Sequence, residues 1–392
     1  MKKLRFLPLS LALILLSCQS PNSTTEATES DEIQSSNDLT SGKDLELDQL
    51  VMPEGFEIDI YGRVDNARQM VMGTEGTLFV SNRSGGSVYA VRDTDGDFKI
   101  DERYEIAADL NLPNGVAFKD GSLFVAEVDK LWRFDNIESA LDNPPAPVLI
   151  YDDYPTDRHH GWKYIAFGPD GKLYIPVGAP CNICESKNEM YASITRMNPD
   201  GSDREVFVHG VRNTVGFTWH PETGEMWFTD NGRDMMGDDI PPCELNRVSQ
   251  QGQHFGYPYC HGGTIQDPEF GDKYACNDFV VPAQNLNPHV APLGLKFYTG
   301  DQFPEMYAGR ILIAEHGSWN RSSDAGHTGH KITMVKEVDG QGTSYDTFIE
   351  GFLNKETNKA WGRPVDILNL EDGSILISDD LSGTIYRVSF KG

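Results

Sequence analysis

The 392-residue sequence has no N-terminal apolar run long enough to cross a membrane. The stretch Phe6–Leu16 has eleven residues, against the roughly 20 a spanning helix needs. Positive charge is also scarce. Lys and Arg total 33 against 60 Asp and Glu, a formal charge of −27, which disfavours nucleic acid and anionic lipid surfaces as partners. No haem-attachment motif occurs: the one CxxC, Cys181-Asn182-Ile183-Cys184, is followed by Glu185 where His is required. With no second CxxC it makes only half of a paired-cysteine zinc site, and a local disulfide fits better. Beyond the first fifty residues, no segment sustains a helical period.

What is present begins with an export signal. Lys2, Lys3 and Arg5 precede the apolar run, and Leu15-Leu16-Ser17-Cys18 resembles a bacterial lipobox. Residues 1–17 are therefore expected to be a lipoprotein signal peptide. Residues 18–48 are expected to be a lipid-bearing cysteine and a solvated Ser/Thr/Asp/Glu-rich tether, and residues 49–392 the folded domain. Removing Lys2, Lys3 and Arg5 with the leader takes the charge from −27 to −30. The expected location is the cell envelope, periplasmic or on the outer-membrane side, with membrane contact through the lipid alone. Five cysteines remain for two disulfides and one free thiol.

One unit recurs along the domain: an alternating apolar strand, a Gly-containing turn, and a return strand. Copies lie at 70–82, 115–127, 164–178, 216–230, 295–315 and 365–379. Six imperfect repeats that each bury too little alone predict an all-β, six-bladed β-propeller. The fourth copy is the most explicit: Pro221-Glu222-Thr223-Gly224 turns a hairpin whose return strand is Met226-Trp227-Phe228-Thr229. Polar residues cluster where these inner strands begin, which on a propeller means the central channel.

His159-His160 precedes the third hairpin, and a His there suits a general base near neutral pH. Arg212-Asn213 holds the matching place in the fourth, offering a fixed cation and an amide to a ligand oxygen. Asn231-Gly232-Arg233-Asp234 opens an oxygen-rich, Gly-punctuated loop of the kind that holds calcium. His289, the run Glu315-His316-Gly317-Ser318-Trp319-Asn320-Arg321, and Arg363 flank later inner strands. Taken singly, each also fits an ordinary polar loop; their shared register points them to one channel. Asp93-Thr94-Asp95-Gly96-Asp97 has the alternating carboxylates of a calcium loop, but Phe98 stands where an EF-hand needs Gly, and it reads as a solvated acidic turn.

The stretch RNTVGFTWHPETGEMWFTDNGRD (212–234), together with these motifs, resembles the soluble quinoprotein glucose dehydrogenase and sorbosone dehydrogenase family, pyrroloquinoline quinone (PQQ) propellers. The likeness covers nearly all of residues 50–390 and is nearer the sorbosone-type branch. It implies oxidation of a sugar, sugar alcohol or aldehyde with an external electron acceptor, using PQQ and calcium. By resemblance, His160 is the general base, and Arg212 and Asn213 contact the quinone oxygens. Backbone oxygens of Gly232 and Arg233 hold calcium, and Arg363 meets a cofactor carboxylate. His289 replaces a Thr of glucose-type members, and His316, Asn320 or Arg321 stands in for a lysine. Ala179 and Val365 occupy positions where glucose-type members carry an Asp and a second arginine.

Two other classes fit parts of the chain. Leu112-Pro113-Asn114-Gly115-Val116-Ala117 resembles a segment of calcium-dependent lactonase propellers, which would make the chain a hydrolase. A non-catalytic propeller that binds glycans or partners is the third reading.

Overall fold

The computed structural model describes residues 39, 42 and 45–392. The expected leader and nearly all of the expected tether lie outside the described residues. No helix among the described residues is long and apolar enough to cross a membrane.

Six four-stranded antiparallel sheets form the blades of a propeller. Their first strands are Ala67–Met72, Gly115–Lys119, Ala166–Phe167, Phe217–Trp219, Pro292–Phe297 and Pro364–Asn369. Neighbouring first strands touch one another, apart from the short Ala166–Phe167 and Phe217–Trp219, which places them innermost around the axis. In every blade the turn from first to second strand carries a glycine at positive φ. These are Gly76, Gly121, Gly171, Gly224, Gly309 and Gly373, with φ between 68° and 81°. A side chain strains that backbone, so the recurring Gly makes the tight return possible in five blades, and in the fifth it ends the longer connection 298–310.

Six apolar clusters fill the seams between blades. One joins Phe79, Val88 and Ala90 of the first blade to Val116, Leu123 and Val125 of the second. The seam between the third and fourth holds Tyr174, Ile194, Phe217 and Phe228. Second strands lie between two neighbours, so Leu173–Val177, Met226–Asp230 and Ile311–Glu315 are buried along their whole length. Each fully buried Leu, Ile, Val or Phe contributes about 1.5–3 kcal/mol of transfer free energy. A single blade has only half a seam on each side, which is why the ring must close.

Closure uses the first strand of the folded domain. Phe56–Arg63 pairs antiparallel with Thr384–Phe390 and forms the outer strand of the last blade. The fourth blade takes its outer strand, Gln284–Pro288, from beyond a long insertion. Within that insertion Cys260 is bonded to Cys276, and Cys181 to Cys184 in an earlier loop. Cys243 is a buried free thiol. The expected pattern of two bridges, one of them local, is present. The Asp93 turn spends its carboxylates on its own backbone: Asp93 accepts from the N–H groups of Gly96 and Phe98.

Candidate active site

A cavity of about 550 Å³ opens at the end of the axis where the first strands begin, a volume suited to a small-molecule ligand. Arg68, His160, Trp162, Arg212, Asn213, Ala291 and Arg363 reach its wall from five different blades or the turns that enter them. His289, His316, Asn320 and Gly232 also line it. Arg233 and Arg321 do not. The Arg233 side chain is buried against Asp267 and Glu269, and Arg321 donates to the carbonyls of Gly326 (2.8 Å) and Asp238 (3.1 Å).

His160 is held at one side. Its Nδ1 lies 2.9 Å from the Ala179 carbonyl; a carbonyl only accepts, so Nδ1 carries the proton and Nε2 keeps a free lone pair. Ala179 thus orients the base with its backbone, at the position where glucose-type members carry an aspartate. Ala179 N–H in turn donates to the Arg212 carbonyl (2.8 Å). His160 itself has φ of 51°, uncommon for a side chain of this size. Gly178 makes room for it, since a Cβ there would meet His160 Cβ at 2.5 Å and its carbonyl at 2.7 Å. Burial, then the Arg212 charge, then His159, push the His160 pKa down to about 2. The imidazole is neutral at any working pH.

Arg212 is buried, and four of its five donor positions are engaged. Nε and one Nη2 donor bind Asn182; the other bonds reach the Asn231 carbonyl and Asp234. One N–H remains for a ligand. Asp234 is shared with Asn320, whose Nδ2 donates to it at 2.5 Å.

The opposite side carries positive charge that the expected residues only partly account for. Arg68 and Arg83 join Arg363 on the cavity wall. Asp380, fully buried, is the carboxylate that balances them: it lies 2.9 Å from Arg68, 3.6 Å from Arg83 and 2.8 Å from His316 Nε2. Burial pulls the Arg68 and Arg363 pKa values below the ordinary arginine range, and neighbouring guanidiniums add to this. Burial likewise takes His316 down to about 4, while Asp380, opposed by its cations, lies well below the usual carboxylate value. Asp379, buried beside Arg363 and pushed up to about 6 by burial, adds a second carboxylate; three guanidiniums still outnumber the two, an excess that a carboxylate-bearing ligand would neutralise. Arg363 also donates to the carbonyls of His316 (2.9 Å) and Gly317 (2.6 Å), fixing its fork.

Between the two sides the floor is apolar. Val215 and Leu293 line it and pack with Val365 and Trp162, so Val365, where glucose-type members carry a second arginine, backs the floor instead of reaching the cavity. Arg68 and Arg83 lie 5.7 and 6.0 Å from the Trp162 ring centroid. An apolar floor flanked by arginines suits a planar, multiply anionic ring system.

For a cation, the relevant corner is Gly232. Behind it, Asp230 and Glu244 face each other across paired strands and line a small recess with Gly232. Burial pushes Asp230 up to about 6, and burial plus the Asp230 charge pushes Glu244 up to about 7. Buried carboxylate charge lacking a full counter-charge fits a hard dication bound nearby through backbone oxygens.

Asn114, the residue a lactonase would place on a metal, spends its side chain otherwise: Oδ1 accepts from Arg68 (2.6 Å) and Nδ2 donates to the Lys163 carbonyl (2.8 Å).

The TrAA12-like family matches residues 50–391. The chain belongs to that family. An uncharacterized protein of Borreliella burgdorferi is 34% identical over 362 residues, 87% of this chain and 91% of the relative. Among solved structures, the holo PQQ domain of a pyranose dehydrogenase from Coprinopsis cinerea aligns at TM-score 0.74 and 19% identity, covering 87% of this chain and 97% of that one. The calcium structure of a Trichoderma reesei family AA12 carbohydrate-active enzyme aligns at TM-score 0.73 and 20% identity, with the same coverage. The two solved structures share the fold described above; nothing in the likeness singles out the sorbosone-type branch.

Proposed function

We propose that this TrAA12-like chain is a PQQ- and calcium-dependent dehydrogenase that oxidises a sugar, sugar alcohol or aldehyde. The observation that carries the proposal is the pairing, in one cavity, of an arginine cluster over an apolar floor with a neutral, backbone-oriented histidine. The likeness to a PQQ domain and to a calcium-bound relative supports the choice of cofactors.

Arg68, Arg83 and Arg363 would hold the cofactor carboxylates, the Trp162 side and the Val215–Leu293 floor its ring, and Arg212 with Asn213 its carbonyl end. Backbone oxygens at Gly232 and Arg233 would hold calcium. When bound, the quinone supplies a two-electron acceptor and calcium polarises its carbonyl. The protein's own part is positional and acid–base. His160 Nε2 takes the proton of the substrate hydroxyl as the hydride departs, while the Ala179 carbonyl steadies the charge that develops on the ring. The remaining Arg212 N–H donates to oxygen, and the apolar floor keeps water from competing.

With no haem motif in the sequence, reducing equivalents pass to a separate carrier. The lipobox-like leader, and two disulfides of the kind that persist outside the reducing cytoplasm, support a lipid-tethered envelope location.

Purified protein titrated with PQQ and calcium should take up one quinone per chain and reduce an artificial dye with some aldose or aldehyde. Lactone hydrolysis without quinone uptake would replace this reading by the hydrolase. Uptake without turnover on any sugar, alditol or aldehyde would leave a binding propeller.

A further inference from the structure

We propose that Asn182, carried in the Cys181–Cys184 disulfide loop, is a positioning residue that aims Arg212 into the cavity. The inference rests on the proposed function only in taking Arg212 as a group that meets the cofactor; the contacts themselves are independent of it.

Asn182 sits between the two bridged cysteines. Its carbonyl accepts from Arg212 Nε (2.9 Å), and its Oδ1 accepts from Nη2 (2.8 Å). The same Oδ1 takes the Asp234 N–H (2.8 Å), and Nδ2 donates to the Asp234 carbonyl (3.0 Å). One side chain therefore ties the guanidinium to both loops that flank it. Asp234, held in this way, supplies a further bond to Arg212.

The loop that carries Asn182 is fixed in turn. The disulfide closes it over two intervening residues, and Tyr257 Oη accepts the Cys184 N–H (3.0 Å). An unbound arginine side chain samples many rotamers, and a misplacement of about 1 Å can cost on the order of 100-fold in function. The short bridged loop removes that freedom. Asn182 is outside the cavity wall, so it acts through Arg212.

The test uses Asn182→Ala and Cys181→Ser/Cys184→Ser in the full protein, with Arg212→Ala as reference. In cofactor-free protein, exchange of the Arg212 Nε–H, assigned by its loss in Arg212→Ala, should be slow and should accelerate at least about tenfold in either loop variant. In the quinone titration, Asn182→Ala should weaken PQQ affinity about 10- to 100-fold. Asn182→Ala/Arg212→Ala should bind no worse than Arg212→Ala alone. Unchanged exchange in both loop variants overturns the proposal, and so do multiplicative losses in the double variant. If Arg212→Ala takes up quinone like the wild type, the cofactor role of Arg212 is what fails. The exchange measurement then still decides whether Asn182 holds it.

Discussion

Replacing Asp380 by Asn isolates the electrostatics of the cavity. The carboxylate is fully buried and lies 2.9 Å from Arg68, 3.6 Å from Arg83 and 2.8 Å from His316. Arg68 is itself only 3% exposed. At an effective dielectric of about 20, one such contact near 4 Å is worth about 4 kcal/mol of Coulomb energy. Removing one partner of a buried pair costs about 3–5 kcal/mol, because the remaining cation stays desolvated and uncompensated. Asp380→Asn keeps the shape and removes only the charge, so a loss of about 3–5 kcal/mol in unfolding free energy is expected.

Equilibrium urea unfolding of the cofactor-free protein, followed by tryptophan fluorescence, measures it. The pH dependence is a second signature. A carboxylate with a depressed native pKa contributes its full stability above the unfolded value of about 3.9 and loses it as pH falls through the native one. The deficit should therefore be flat from pH 7 to about 5 and shrink below 4. Citrate, a small tricarboxylate, should stabilise the variant more than the wild type, since the variant holds one more uncompensated positive charge. A loss under about 1 kcal/mol, or a deficit that fades between pH 7 and 5, would refute the assignment of Asp380 as the buried counter-charge.

Three further outcomes follow from the base. His160→Gln should lower kcat of the reconstituted enzyme about 100- to 10,000-fold with little change in quinone affinity, checked by steady-state kinetics beside the titration. Gly178→Ala places a Cβ 2.5 Å from His160 Cβ, so it should displace the base and cut turnover while the melting temperature falls by only a few degrees. Because burial keeps His160 neutral far below 6.5, kcat/KM should show no acid limb at 6–7. A limb there that disappears in His160→Gln would contradict the burial argument.

The elements legible in the sequence were those set by local chemistry. The turn glycines from Gly76 to Gly373 and the alternating strands beside them are short-range signals, and they sufficed for six blades. Pairing of Phe56–Arg63 with Thr384–Phe390 joins residues more than 300 apart, which no local pattern encodes. In the site, His160, Arg212, Asn213 and Arg363 were found because they precede inner strands. Arg68 stands at the start of the first inner strand, in the polar stretch Asp65-Asn66-Ala67-Arg68-Gln69, and follows the same rule, but it was not singled out. Arg83 follows the second strand of its blade, as Asn231 and His316 follow theirs, but it was not singled out either. Direction was the least legible property. Arg321 and Arg233 sit in the expected loops, but their side chains turn to Asp238 and Asp267. The Ala179 carbonyl could not be anticipated from a residue type that contributes only backbone.

Anaerobic mixing of the PQQ- and calcium-loaded protein with a panel of aldoses, alditols and aldehydes tests the central claim most directly, by the quinone absorbance in a single turnover. Bleaching by at least one of them, with one equivalent of substrate oxidised per chain and the rate collapsing in His160→Gln, is the predicted result. A bound quinone that stays oxidised with every substrate, or bleaches equally fast without His160, would contradict it.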